Sequence, residues 1–170
     1  MTDIPVWLLD VDGVLNASRA GWGGPPTSRS IVAFDTTWRM RFSPSLIAGI
    51  RGLAAAPLVE IRWATTWAGH IPDLSRVFAL PEFAPAFPMP DGRPTQDLIA
   101  PLKLAAALAV VESGRRLIWT DDDAIPDAGP DRDRLDAAGA LLIAPKPSRG
   151  LRPEHLDAIA AYTALEASRG

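Results

Sequence analysis

The stretch Val6-Trp7-Leu8-Leu9-Asp10-Val11-Asp12-Gly13-Val14-Leu15-Asn16 decides how the rest of the chain is read. Its first four residues are apolar, as in a strand buried on both faces of a parallel sheet. Two carboxylates follow, Asp10 and Asp12, and then a glycine. Side chains two apart in a strand point the same way, so Asp10 and Asp12 would share a face if the strand ran on. Gly13 argues that it stops, because glycine admits backbone angles that break a strand. A loop at the carboxyl end of a buried strand is where open α/β sheets hold their ligands. Carboxylates crowded there repel each other, and a cation or a shared proton relieves them. The competing possibility is an Asp-Gly turn that closes a β-hairpin.

Outward from this stretch, residues 17–30 hold Gly21, Gly23, Gly24, Pro25 and Pro26, which is loop chemistry. In 31–42 the apolar Trp38, Met40 and Phe42 alternate with Arg39 and Arg41, the pattern of a strand with one wet face. Residues 17–42 therefore read as a loop plus a strand pair, a flap rather than a domain. Ser43 and Pro44 start a helix that runs to about Ala56, as an N-cap followed by a first-turn proline. A second apolar strand, 58–64, ends at Thr65-Thr66-Trp67, and a short helix follows Pro72. A short third strand is expected at 84–89. Pro101 is expected to open a helix that ends before Gly114, with Lys103 just inside it. The strand 116–120 runs into Asp121-Asp122-Asp123. A helix over about 130–138, a last strand at 140–144 and a terminal helix over 153–167 complete the chain. Strands alternating with helices imply a parallel sheet with right-handed crossovers, and no repeat or linker divides the 170 residues, so 1–170 reads as one α/β domain.

Composition narrows the function. Hydrophobic residues make up 48% of the chain, a globular value, and the net charge of -3 offers no global basic field for nucleic acid. With no cysteine, there is no disulfide framework, zinc-thiolate site or cysteine nucleophile. MTDIPVW lacks the basic and apolar regions of a signal peptide, and no apolar run approaches a membrane span, so a cytoplasmic protein without a membrane partner is expected. Of 17 basic residues only Lys103 and Lys146 are lysines, which makes each more noticeable.

Asp10-Val11-Asp12-Gly13-Val14-Leu15, placed after an apolar strand, resembles the first motif of the haloacid dehalogenase (HAD) superfamily, most of whose members are phosphatases. The resemblance implies a Rossmannoid three-layer sandwich with five parallel strands in the order 5-4-1-2-3. The short gaps at 17–42 and about 68–100 imply a β-flap after strand 1 and no large cap. Asp10 would be the nucleophile that forms an aspartyl-phosphate, and Asp12 the general acid and then the base for water. Further motifs fall in the family's order at strand ends. Thr65 fits the second, its hydroxyl and the Thr66 N–H holding a phosphoryl oxygen, although Thr66 competes for the part. Lys103 fits the third, where an ammonium offsets the charges of nucleophile and phosphate. Asp121-Asp122 fits the fourth. Asp122 would bind Mg²⁺ with the Asp10 side chain and the Asp12 backbone carbonyl, while Asp121 orients Lys103. Asp123 and Asp127 would stand further out, and Gly13 supports the loop. The chain's later part, 144–151, is loosely similar to the HAD-type domain of some RNA-repair proteins.

A Mg²⁺-dependent phosphomonoesterase is thus expected, acting on a phosphorylated small molecule or nucleotide. A nucleotidase or nucleic-acid end phosphatase is the alternative, with Trp22, Trp38, Arg39 and Arg41 meeting substrate. A non-catalytic phosphate-binding scaffold is the alternative of another class. Lys146 and Arg149, after the last strand, could reach the site rim but suit a surface loop. His70 lies near Thr65 yet suits a structural place at a helix start, and His155 is expected to face solvent. Substrate identity and oligomeric state are not legible in the residues.

Overall fold

Val6, Trp7, Leu8 and Leu9 are fully enclosed, which the middle strand of a sheet covered on both faces explains. The structure is a computed structural model that describes residues 4–91 and 94–165. In chain order its elements are β1 (Val6–Leu9), β2 (Thr27–Ala33), β3 (Thr36–Phe42), α1 (Pro44–Ala55), β4 (Glu60–Trp63), a 3-10 turn (Ala68–His70) and α2 (Ile71–Phe78). There follow β5 (Ala84–Pro85), α3 (Gln96–Glu112), β6 (Leu117–Thr120), α4 (Pro130–Ala137), β7 (Leu141–Ile143) and α5 (Pro153–Ala164). Five strands form one parallel sheet in the order β5-β4-β1-β6-β7.

Alternation along the strands divides the core into two layers. Trp7, Leu9, Ile61, Trp63 and Ile118 pack against Leu46, Ile47 and Ile50 of α1, Leu74, Val77 and Phe78 of α2, and Ile159 of α5. Val6, Leu8, Leu117 and Trp119 pack against Ile99, Ala107 and Val110 of α3 and Leu135 of α4. The chain is thus an α/β sandwich with helices on both faces. Among the described residues no helix is long and apolar enough to cross a membrane.

β2 and β3 form a separate antiparallel hairpin rather than joining the sheet. Its two-residue turn, Phe34-Asp35, has positive φ at both positions (52 and 57), which is the turn geometry that follows the twist of a hairpin. The apolar face, Ile31, Ala33, Met40 and Phe42, packs on the main core, while Arg39 and Arg41 are exposed, as the alternation predicts.

Local signals at α1 hold: the Ser43 hydroxyl accepts the Leu46 N–H (3.3 Å) and Pro44 begins the helix. Three expectations need correction. The third strand is two residues long, not six. The helix around Lys103 starts at Gln96, so Pro101 lies inside it and Lys103 sits well past the first turn. A proline there removes one early backbone bond, and burial of Ile99, Lys103, Ala107 and Val110 keeps the helix on the sheet. His155 is half-buried rather than solvated, because its Nδ1 accepts the Arg152 N–H (3.0 Å) and caps α5. The expected end of that helix, at residue 167, lies outside the described residues.

Candidate active site

Register brings the acidic residues together. Leu9 stands beside Thr120 on one side and beside Trp63 on the other. Asp10 and Asp121, the next residues of their strands, therefore emerge as neighbours at the carboxyl edge. The Asp10 N–H donates to Thr120 O (3.2 Å) and the Asp121 N–H to Ile143 O (3.1 Å). The chain then turns away from the sheet, as Gly13 foretold. Val11 O accepts N–H bonds from Val14, Leu15 and Asn16, and Gly13 takes a φ of 69. A Cβ on Gly13 would lie 2.2 Å from Cγ of Asp122, so glycine is needed both for its backbone angle and for the close approach.

The turn gives the two carboxylates of the motif opposite surroundings. Asp10 is 5% exposed. Its Oδ1 accepts the Val11 N–H (2.7 Å) and its Oδ2 accepts from Lys103 Nζ (2.7 Å). The same ammonium, 1% exposed, donates to Asp121 Oδ2 at 2.7 Å. Asp121 is fully buried, and its Oδ1 accepts the N–H groups of Asp123 and Ala124. Burial pushes Asp10 up from 3.8 to about 7, against the pull of Lys103, with the neighbouring Asp121 charge adding to the rise. Lys103 is held above its ordinary value: burial favours the neutral amine, but the charges of Asp10 and Asp121 outweigh it. The half-buried Asp122 is raised by burial and by Asp121 beside it.

Asp12, by contrast, is exposed and held by neutral donors. Asn16 Nδ2 donates to its Oδ1 and Trp67 Nε1 to its Oδ2, both at 2.8 Å. Asn16 is itself oriented, because its Oδ1 accepts the Arg41 N–H (2.9 Å) from β3. Trp67 is buried and meets two rings of the hairpin edge-on or tilted, Trp38 at 5.5 Å and Phe34 at 5.7 Å between centroids. Hairpin and sheet together thus fix the second acid.

These residues border a cavity of about 160 Å³ lined by Asp10, Asp12, Thr66, Gln96, Asp122 and Asp123. Thr66 stands on its wall. Thr65 is fully buried beneath, outside the lining, its hydroxyl receiving the Trp67 N–H at 3.4 Å. Asp10, Asp121 and Asp122 each bring a carboxylate oxygen within 4.8 Å of the others. Such a group of hard oxygen donors could hold a metal ion.

Other expected residues lie elsewhere. Trp22 and Trp38 pack on the core and donate their indole N–H groups to Leu151 O and Ala33 O. His70 meets Phe34 edge-on, with centroids 4.7 Å apart. Lys146 and Arg149 line a separate cavity with Arg152, Glu154 and His155. Asp127 is exposed and outside the acidic cavity. Three residues at the site went unread in the sequence: Trp67, Asn16 and Gln96, whose Nε2 donates to Asp123 Oδ2 (3.2 Å). Asn16 closes the opening motif and Trp67 follows the threonine pair, so their places in the sequence offered a signal. Comparison with family models, with curated proteins and with solved structures finds no match to the chain.

Proposed function

We propose that the chain is a Mg²⁺-dependent phosphomonoesterase that works through an aspartyl-phosphate on Asp10, in the manner of the HAD superfamily. One observation carries this: a buried carboxylate clamped by a buried lysine shares a short loop, and one small cavity, with an exposed carboxylate held only by neutral donors. The first suits a nucleophile, whose approach to a phosphate needs a cation beside it. The second suits proton transfer, which needs a carboxylate that substrate and water can reach. The strand order also supports the resemblance. The hairpin takes two of the chain-order labels, so the labels differ from 5-4-1-2-3, but the five sheet strands counted alone read in that order from the β7 edge.

In this mechanism an Asp10 oxygen bonds to phosphorus while the bond to the leaving oxygen breaks, and Asp12 delivers its proton to that oxygen. Water then attacks phosphorus, Asp12 takes the water's proton, and phosphate leaves with Asp10 restored. Lys103 offsets the charge of Asp10 and the incoming phosphate, and Asp121 holds Lys103 in place. Thr66, which lines the cavity, would meet a phosphoryl oxygen. Asp10, Asp122 and the Asp12 carbonyl would hold Mg²⁺, since Asp10, Asp12 and Asp122 line the cavity whereas Asp121 is fully buried outside that lining. Bound there, Mg²⁺ supplies positive charge to the transferring phosphoryl group.

The test is phosphate release from phenyl phosphate with and without Mg²⁺. Activity that needs the metal and disappears in Asp10→Asn is expected. A folded wild-type protein that binds phosphate but turns over no ester would favour the non-catalytic scaffold instead.

A further inference from the structure

The acidic cavity, at about 160 Å³, is smaller than an ordinary small-molecule site. A phosphorylated alcohol of any size would extend beyond it. Beside it lies a larger open cleft of about 540 Å³, lined by Asn16, Ala17, Ser18, Arg39, Arg41, Pro147 and Ser148. The volume falls within the ordinary range for a small-molecule site.

Two features of this cleft bear on the substrate. The first is its place. Asn16 links the two: it lines the cleft, and its Nδ2 donates to Asp12 Oδ1 in the acidic cavity. If Asp12 protonates the leaving oxygen, the leaving group lies beside Asp12, one hydrogen-bonded residue from the cleft. The second is its charge. The lining holds two guanidinium groups and no carboxylate, in a chain whose net charge is -3. Arg62, Arg76, Arg115, Arg132 and Arg134 each sit on an acidic side chain. Among the described residues Arg39 and Arg41, like Arg29 and Arg51, have no such pairing, and Arg41 Nη1 donates to Ser18 O (3.2 Å) at the cleft. Two exposed guanidinium groups on one strand, in a cleft also lined by Ser18 and Ser148, make a receptor for phosphate oxygens.

We infer that the cleft receives the leaving group, and that this leaving group carries a second phosphate. The substrate class is then a phosphomonoester whose alcohol part bears a further phosphate group. A nucleoside bisphosphate and the phosphorylated end of an oligonucleotide share this chemistry. The inference rests on the phosphomonoesterase reading for which end of the substrate enters the cleft, but not for the cleft's affinity.

The experiment compares kcat/KM for a nucleoside 3′-monophosphate and for the matching nucleoside 3′,5′-bisphosphate, with a 3′-phosphorylated dinucleotide as a third substrate, in the wild type and in Arg39→Gln/Arg41→Gln. The wild type is expected to prefer the two-phosphate substrates by at least about tenfold, the factor worth one charge-assisted hydrogen bond. Added salt should shrink the preference. In the double variant the ratio should collapse toward one. Damage to the fold would lower every substrate alike and leave the ratio standing. An unchanged ratio, or no preference in the wild type, overturns the inference. The two phosphate sources separate by whether the bisphosphate alone, or only the dinucleotide, shows the arginine-dependent gain.

Calorimetric binding of the bisphosphate and the matching monophosphate to both proteins separates the two claims. Arginine-dependent preference in binding without any turnover would uphold the cleft and overturn the phosphatase. Turnover without that preference would do the reverse.

Discussion

Asp10 and Asp12 are two residues apart and live in different electrostatic worlds. Asp10 lies at the floor of the site, tied by the sheet's register to Asp121 and by a shared ammonium to Lys103. Asp12 lies at the rim, tied by two neutral donors to a hairpin outside the sheet. The floor trades in buried charge, where breaking a pair is expensive. The rim trades in single hydrogen bonds near water, each worth about 0.5–1.5 kcal/mol. The contrast teaches how one short motif supplies two carboxylates for two tasks: the turn at Gly13 sends one inward and the other out.

The largest effect should come from removing the charge that joins the floor. Lys103→Met leaves Asp10 and Asp121 buried without their cation. It should cost about 3–5 kcal/mol at pH 8, read as a fall in the denaturation midpoint, and activity should fall with it. At pH 5 the loss should be smaller, because Asp10 can take a proton. A variant as stable as the wild type at both pH values would break the contrast.

A second effect on the floor is a pH dependence with a definite sign. Asp10 rises from 3.8 to about 7 on folding of the metal-free protein. Its contribution to stability is therefore fully present below about 4 and is lost as pH rises through about 7. Between these limits the unfolded chain is ionised at this position while the folded chain keeps its proton. The melting temperature of the metal-free wild type, measured against Asp10→Asn, should fall across that window, and Mg²⁺ should flatten the trend. A difference that rises with pH would contradict the buried reading of Asp10.

At the rim, the effect should be smaller and kinetic. Trp67→Phe removes the donor to Asp12 Oδ2 and keeps an aromatic ring beside Phe34 and Trp38. Stability should fall by about 1 kcal/mol. Turnover of an alkyl phosphate, whose poor leaving group needs the acid, should fall by about tenfold, part of the range that acid catalysis supplies. Under single-turnover conditions, phosphoryl transfer from dinitrophenyl phosphate should change little. Equal losses on both esters would show that Trp67 supports the fold rather than Asp12.

The floor and Asp12 itself were largely legible in the sequence, and the partners that hold Asp12 were not. Asp10, Lys103, Asp121 and Asp122 lie at strand ends or on the helix that feeds them, and parallel pairing brings such positions together whatever lies between. Lys103 was found although its helix was misjudged: Pro101 looked like a first residue, but a helix tolerates a proline near its start when its buried face packs on the sheet. The two-residue β5 is too short to leave a pattern. Which threonine lines the cavity turns on a one-residue phase at the end of β4, which alternation alone does not set. The partners of Asp12 depend on how a hairpin folds back. Trp67 is 55 residues away from it, and its contacts with Phe34 and Trp38 exist only once the hairpin has docked.

The central claim is that Asp10 itself carries the phosphoryl group. A single-turnover reaction with dinitrophenyl phosphate and Mg²⁺, quenched in acid and digested, locates the covalent phosphate by mass spectrometry. The account predicts a phosphoryl adduct on the peptide holding Asp10, absent in Asp10→Asn and longer-lived in Asp12→Asn, where water lacks its base. An adduct on another residue, or turnover in Asp10→Asn at the wild-type rate, would contradict it.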